Sequence, residues 1–201
     1  KMINIPSFSK EESEVANLVE IFLLEKGLKV ERKGNNVWVK SKFFHVDKPT
    51  ILLNSHLDTV KPGQSWTKRP FVPSVQDGKL YGLGSNDASG PLVCLIQTFL
   101  HFCDHTDLNY NLILVASAEE EISGKNGIAE VLPILEEIDL GIVGEPTKMD
   151  MAVAEKGLVV FDATISGTAS HAAHPNPDNP IYKIGAVIDW FQQLEFDRVS
   201  D

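Results

Sequence analysis

Several things are scarce in this 201-residue chain. It has two cysteines, Cys94 and Cys103, too few for a disulfide framework. The longest apolar run, Leu112 to Ala116, is strand-sized and far short of the roughly 18 residues that a membrane-spanning helix needs. Positive charge is in the minority, with 18 Lys and Arg against 28 Asp and Glu and a net charge of −10. A surface of that sign repels phosphates, so nucleic acid is not an expected partner. The opening residues Lys1 to Pro6 hold no apolar segment of signal-peptide type; the expected compartment is the reducing cytoplasm, with no membrane partner. No repeat and no low-complexity tract interrupts the chain. A Gly-x-Ser-x-Gly elbow is also missing, which leaves serine hydrolase chemistry without support.

What is present is a globular composition, 43% hydrophobic and 23% charged, long enough for one core or one and a fraction. Ser9 followed by Glu12 predicts a capping box, and Val15, Leu18, Val19 and Phe22 form a helical face ending at Gly27. Asn36 to Lys42 alternates like a strand. Three short apolar runs, Thr50 to Leu53, Leu112 to Ala116 and Leu140 to Val143, suit strands buried on both faces, as in a parallel sheet. Helical stripes separate them. One is Leu92, Leu95, Ile96, Phe99 and Cys103; the other is Ile128, Val131, Leu132 and Leu135, with Pro133 kinking its last turn. The alternation predicts an α/β fold, a mostly parallel sheet flanked by helices. The character changes after Glu155-Lys156-Gly157. Leu158 to Gly167 reads as a new strand, and Ile181, Ile184, Gly185, Ile188 and Phe191 as a helical face. Residues 1–155 are therefore expected to form part of one domain and residues 156–201 the start of a smaller α+β domain.

In open α/β sheets, ligands bind beyond the carboxyl ends of the strands. The three apolar runs are followed by His56-Leu57-Asp58, by Glu119-Glu120-Glu121 and by Glu145-Pro146. A glycine-rich turn, Gly82-Leu83-Gly84-Ser85-Asn86-Asp87, precedes a helix. Taken singly, such features are ordinary: a histidine after a strand is a polar loop residue, and glutamates at a helix start suit its dipole. Together they gather an imidazole and several carboxylates on one rim. Carboxylates brought together repel and are costly to bury unpaired. A divalent cation such as Zn²⁺ resolves that conflict, and more carboxylates than one ion needs points to two ions.

The motifs resemble those of the dinuclear-zinc amidohydrolases and exopeptidases, a family that includes acetylornithine deacetylase, succinyl-diaminopimelate desuccinylase, aminoacylase and carboxypeptidase G. The residues are His56-Leu57-Asp58-Thr59-Val60, Gly82 to Gly90, Glu119 to Gly124, Val143 to Thr147 and Gly167 to Pro175. The branch they resemble most is the acetylornithine deacetylase-like one. The resemblance implies a zinc-exopeptidase-like catalytic domain followed by a lid that dimerises, giving a homodimer. It implies that His56, Asp87 and Glu145 hold one ion and that Asp87 bridges to a second, bound also by Glu121. The ions would be Zn²⁺, with Co²⁺ as the alternative. Asp58 would orient the His56 ring. Glu120 would be the general base, and His171 would stabilise the oxyanion.

The triplet admits two registers. Ile122-Ser123-Gly124 aligns Glu119 with an aspartate of the family motif; the other register makes Glu119 the base and Glu120 the ligand. The implied reaction is amide hydrolysis of an N-acyl amino acid, N-acetylornithine giving ornithine and acetate in arginine biosynthesis. Succinyl-ornithine and succinyl-diaminopimelate are the alternatives, as is a non-catalytic metal-binding fragment. Family members run well past 201 residues, so the second ion's histidine and further substrate-binding groups are expected outside this sequence. The fragment alone is expected to be inactive and to self-associate through an exposed sheet edge.

Other features are read as structural. Gly82-Leu83-Gly84 lacks a third glycine, and Asp87 there would repel a pyrophosphate. His101, Cys103 and His105 have helical spacing, but Cys103 lies on the apolar stripe. Trp38, Trp66 and Trp190 are assigned to packing.

Overall fold

The computed structural model describes residues 1–154, 157 and 159–195. The chain divides into two compact units, Lys1–Met151 and Ala152–Asp201. The first holds a five-stranded mixed sheet built from β1 (Val30–Lys33), β2 (Asn36–Lys40), β3 (Thr50–His56), β6 (Asn111–Ser117) and β7 (Leu140–Val143), in the order β1-β2-β6-β3-β7. A separate hairpin pairs β4 (Ser74–Gln76) with β5 (Lys79–Tyr81). Helices α1 (Ser13–Glu25), α2 (Ser89–Phe102) and the single-turn α3 (Ile128–Val131) complete this unit.

Strands β3, β6 and β7 run parallel, while β1 and β2 are antiparallel additions at one edge. Alternation along β6 feeds two cores. Leu112, Leu114 and Ala116 pack with Val15, Val19, Leu23, Leu92, Ile96 and Phe99 of α1 and α2. Ile113 and Val115 pack with Trp38, Leu52 and Val131 on the opposite face. The sheet is thus flanked by helices on both sides, the α/β arrangement expected from the alternation of runs and stripes.

Several elements depart from their expected form. Ser9 caps no helix: α1 begins at Ser13, and the Ser9 hydroxyl donates instead to Asp58 Oδ2 at 2.7 Å. The apolar run Leu140 to Val143 forms β7 as expected, yet every residue of it is exposed. Among the described residues β7 is an edge strand, paired with β3 along one side. The second helical stripe shortens to α3 and a 3-10 turn, Leu132–Ile134, because Pro133 cannot continue the α ladder. Trp38 is buried, but Trp66 and Trp190 are exposed.

Hairpin β1–β2 turns through Gly34-Asn35, with Gly34 at φ 59, and the β4–β5 hairpin through Asp77-Gly78, both at positive φ. These are the two-residue turns that match strand twist. Charged β1 (Val-Glu-Arg-Lys) carries no apolar alternation, so periodicity alone misses it.

In the second unit, α4 (Ile184–Gln192) follows a 3-10 turn at Pro180–Lys183. Asp178 ties the preceding loop together, accepting from Thr168 Oγ1 and Lys183 Nζ, each at 2.6 Å. The expected strand over 158–167 is not formed at 159–167. Alternation supplies faces, but a strand also needs a ladder partner, and none pairs there among the described residues. The expected boundary at Glu155-Lys156 and the expected strand start, Leu158, lie outside the described residues.

Candidate metal centre

The parallel strands deliver their polar residues to a common rim. His56 is the last residue of β3, and the ladder to β6 extends one step beyond it through Leu57 N–H donating to Ser117 O at 2.7 Å. The β6 strand ends at Ser117, immediately before the Glu119-Glu120-Glu121 turn. On the other side of β3, Gly144 N–H donates to Asn54 O at 2.8 Å, and Ser55 Oγ donates to Gly144 O at 2.8 Å. A side chain at Gly144 would collide with Leu95 of α2, at 2.9 Å. Glu145 follows, with its Oε2 3.8 Å from the His56 Nε2. Asp87 arrives from the glycine-rich turn that precedes α2, where Gly84 sits at φ 71 and a Cβ would meet the Thr59 methyl at 2.6 Å.

Four carboxylates converge on the buried imidazole. Nε2 of His56 lies 3.0 Å from Asp87 Oδ1, 3.8 Å from Glu145 Oε2 and 3.9 Å from Glu120 Oε2. Two sets of three residues place a ligand atom each within 4.8 Å of one another, His56-Asp87-Glu121 and His56-Glu120-Glu145. The histidine side chain is 1% exposed, whereas Glu145 is 31%, Glu120 52% and Asp87 53% exposed. The centre is thus rooted in the core and open to solvent on its acidic side.

The charges are mutually frustrated. Burial disfavours the imidazolium, yet Asp58, Glu145 and Asp87 outweigh it and raise the His56 pKa to about 9. Glu145 is pushed up to about 7, first by burial, then by the negative charge of Glu120, Asp87 and Glu121 against the opposing pull of His56. Glu121 also rises, through burial and the charge of Asp87. The crowded negative charge thus favours the protonated forms of His56, Glu121 and Glu145. One imidazole and the clustered carboxylates offer an N/O donor set of the kind that holds a divalent cation. A dication can take the place of those protons, so the residues fit a metal.

Asp58 is completely buried. The His56 Nδ1 bonds the main-chain oxygen of Asp58 at 2.9 Å, with the carboxylate next at 3.4 Å. That carboxylate collects three donors: Ser9 Oγ at 2.7 Å, Glu120 N–H at 3.0 Å and Glu121 N–H at 3.2 Å. Burial works against its charge, but the His56 ring, the Ser9 hydroxyl and the Glu120 N–H hold its carboxyl below the ordinary range. So Asp58 grips both the histidine and the backbone of the triplet.

Within the triplet the side chains part company. Glu119, at φ 53, folds into its own loop, where its carboxylate accepts from Asn126 Nδ2 at 2.8 Å. A side chain at Gly124 would collide with it, the would-be Cβ lying 2.5 Å from Glu119 Cβ. Glu120 and Glu121 turn to the imidazole side. Asn36 braces the same loop, accepting from Ala118 N–H at 2.9 Å and donating to Asn126 O at 2.7 Å. Neither Asn36 nor Ser9 is legible from motif spacing, because both act from strands and turns distant in sequence. His171 belongs to the second unit, where its Nδ1 accepts from Ala173 N–H at 3.2 Å and its ring lies 5.7 Å from that of His174.

The architecture has known counterparts. An M20 family metallo-carboxypeptidase from Sulfolobus solfataricus superposes with a TM-score of 0.58 at 24% identity, over 71% of this chain and 35% of that one. Human carnosine dipeptidase 1 gives 0.56 at 20% identity, over 72% and 36%. A dinuclear metal-binding peptidase of the M20 family from Bacillus subtilis gives 0.52 at 20%, over 69% and 38%. The chain spans little more than a third of the length of these proteins. A family model covers residues 52–194, a stretch that takes in His56, Asp87, the glutamate triplet, Glu145 and His171. By that match the chain belongs to peptidase family M20/M25/M40.

Proposed function

We propose that this chain is the metal-holding part of a dinuclear metallohydrolase that cleaves the amide bond of an N-acylated amino acid. The observation that carries the reading is the convergence of Asp87, Glu120, Glu121 and Glu145 on the buried His56 ring. In this reading His56, Asp87 and Glu145 hold one ion, and Asp87 and Glu121 the other. Two divalent ions, Zn²⁺ first and Co²⁺ second, would supply Lewis acidity toward the amide carbonyl and acidify water.

The protein's own groups do the rest. Glu120 removes a proton from the attacking water and returns it to the nitrogen as the C–N bond breaks, so one water is consumed per amide. Its carboxylate is half-exposed while lying 3.9 Å from the His56 Nε2, which suits a group that must meet substrate. Glu119 is committed to its loop, which favours the register with Glu120 as base. Asp58 keeps the His56 ring and the Glu120 and Glu121 backbone in one frame. By the family resemblance His171 is assigned to the oxyanion, reaching the centre of the partner subunit from the lid.

N-acetylornithine is the first substrate by motif resemblance, with the acetylornithine deacetylase-like branch and arginine biosynthesis as context. Succinyl-ornithine and succinyl-diaminopimelate are the alternatives. A second reading, hydrolysis of dipeptides, draws on the similar structures, which are a carboxypeptidase and a dipeptidase. Dimerisation through the second unit is supported by the exposed apolar side chains Ile181, Ile188 and Trp190. Unpaired Cys94 and Cys103 are consistent with cytoplasm.

The test is a turnover panel on the full-length, zinc- or cobalt-loaded protein. It comprises N-acetylornithine, N-succinylornithine, N-acetylcitrulline, N-succinyl-diaminopimelate and a set of dipeptides. The highest kcat/KM is expected on N-acetylornithine. Preference for a dipeptide moves the assignment to the second reading, and no turnover on any of them removes both.

A further inference from the structure

Three consecutive backbone N–H groups of the triplet are accepted by two buried carboxylates. Asp58 takes those of Glu120 and Glu121. The third, from Glu119, goes to Glu12 Oε1 at 3.2 Å, a contact spanning 107 residues of sequence. Glu12 is 0% exposed and lies outside the stretch 52–194 matched by the family model. Its other donors are Lys10 N–H at 2.7 Å and Asn35 Nδ2 at 2.8 Å. A buried carboxylate is costly unless its oxygens are satisfied, and here one of three donors comes from the loop that carries Glu120 and Glu121.

That loop needs support. Glu119 and Ser123, on either side of Glu120–Ile122, both adopt the left-handed conformation, with φ of 53 and 47, which L-residues other than glycine visit reluctantly. A hydrogen bond to a carboxylate is among the stronger ones available to a backbone N–H. We propose that Glu12 is a positioning residue: by holding the Glu119 N–H it sets the left-handed turn that aims Glu120 and Glu121 at the centre. Its catalytic consequence rests on the proposed function; its effect on the loop does not.

The experiment uses the full chain and reads backbone hydrogen exchange at Glu119–Glu121 relative to Leu112–Ala116 of β6, without substrate. Glu12→Ala is expected to speed exchange of the triplet by about tenfold or more relative to β6. Should Glu12→Ala fail to fold, Glu12→Asp, one methylene shorter, reads the same direction. Glu12→Gln keeps an acceptor oxygen and restores protection. Leu23→Ala, a core truncation at the far end of α1, controls for general loosening and leaves the ratio unchanged. Binding of Co²⁺, followed by its visible absorption, weakens about tenfold in Glu12→Ala and not in Leu23→Ala. In the active protein kcat falls while KM holds.

An unchanged exchange ratio in both Glu12→Ala and Glu12→Asp overturns the proposal, as does an equal change in Leu23→Ala. Rapid exchange with parental Co²⁺ affinity and kcat also overturns it, reducing Glu12 to a structural residue. Absence of turnover in the parent counts against the proposed function alone, since exchange and Co²⁺ binding still decide the role of Glu12.

Discussion

At the scale of single residues, the centre is an electrostatic problem with a division of labour. In the proposed function Glu120→Gln removes the base but keeps the shape of the side chain. It is expected to lower kcat by about 10²- to 10⁴-fold while metal content, measured by elemental analysis, stays near the parent's. Asp87→Ala is expected to empty both ion sites together, because the proposed function shares that one carboxylate between them. Loss of one ion with retention of the other refutes the bridge. The candidate positions are legible in sequence, since His56 ends a strand, Asp87 ends a glycine-rich turn, and Glu121 and Glu145 follow strands. Ser9 is the instructive exception. Its spacing to Glu12 mimics a capping box, but its hydroxyl is drawn to the buried Asp58 carboxylate. A buried charge outbids a helix terminus that solvent can satisfy.

At the scale of elements, β6 is the spine of the first unit, with all seven residues buried and a neighbour on each side. Leu114→Ala is expected to cost about 2–5 kcal/mol of stability, read as a lower urea midpoint, with metal stoichiometry unchanged because the side chain faces the helical core. A smaller effect ties β2 to the segment after α3. Lys40 Nζ lies 2.6 Å from Glu136 Oε1, both partly exposed. Burial opposes the charge of Glu136, but Lys40 prevails and its pKa is lowered. A carboxyl with a lowered folded pKa adds stability that is present above its ordinary range, near pH 4–5, and lost as pH falls through the folded value. Glu136→Gln is expected to reduce stability by under about 1 kcal/mol at pH 7 and to lose that difference in acid, as thermal melts across pH will show. Strands β3 and β6 were readable as uninterrupted apolar runs. Strand β7 has the same signature without the burial, because an edge strand is apolar for reasons its own sequence does not disclose.

At the scale of the whole molecule, the candidate ligands come from the ends of β3, β6 and β7 and from the turn before α2, so metal binding is expected to report on the assembled sheet. Zn²⁺ at a hundredfold excess over its Kd is expected to add about 2.7 kcal/mol of stability. Chelation reverses it, and Asp87→Ala abolishes it; a melt insensitive to Zn²⁺ counts against the centre. Among the described residues no helix is long and apolar enough to cross a membrane, as the short apolar runs already implied. Sequence alone determined the α/β class, the rim on which the acidic residues gather and the residue types that a dication needs. These follow from local periodicity and from the rule that ligands sit beyond parallel strand ends. Tertiary structure alone decided which glutamate of the triplet turns away, what accepts each N–H of that turn, and which apolar strand lies open at the edge. Those outcomes depend on groups as far apart in sequence as Glu12 and Glu119, and only the folded chain brings such groups within hydrogen-bonding reach.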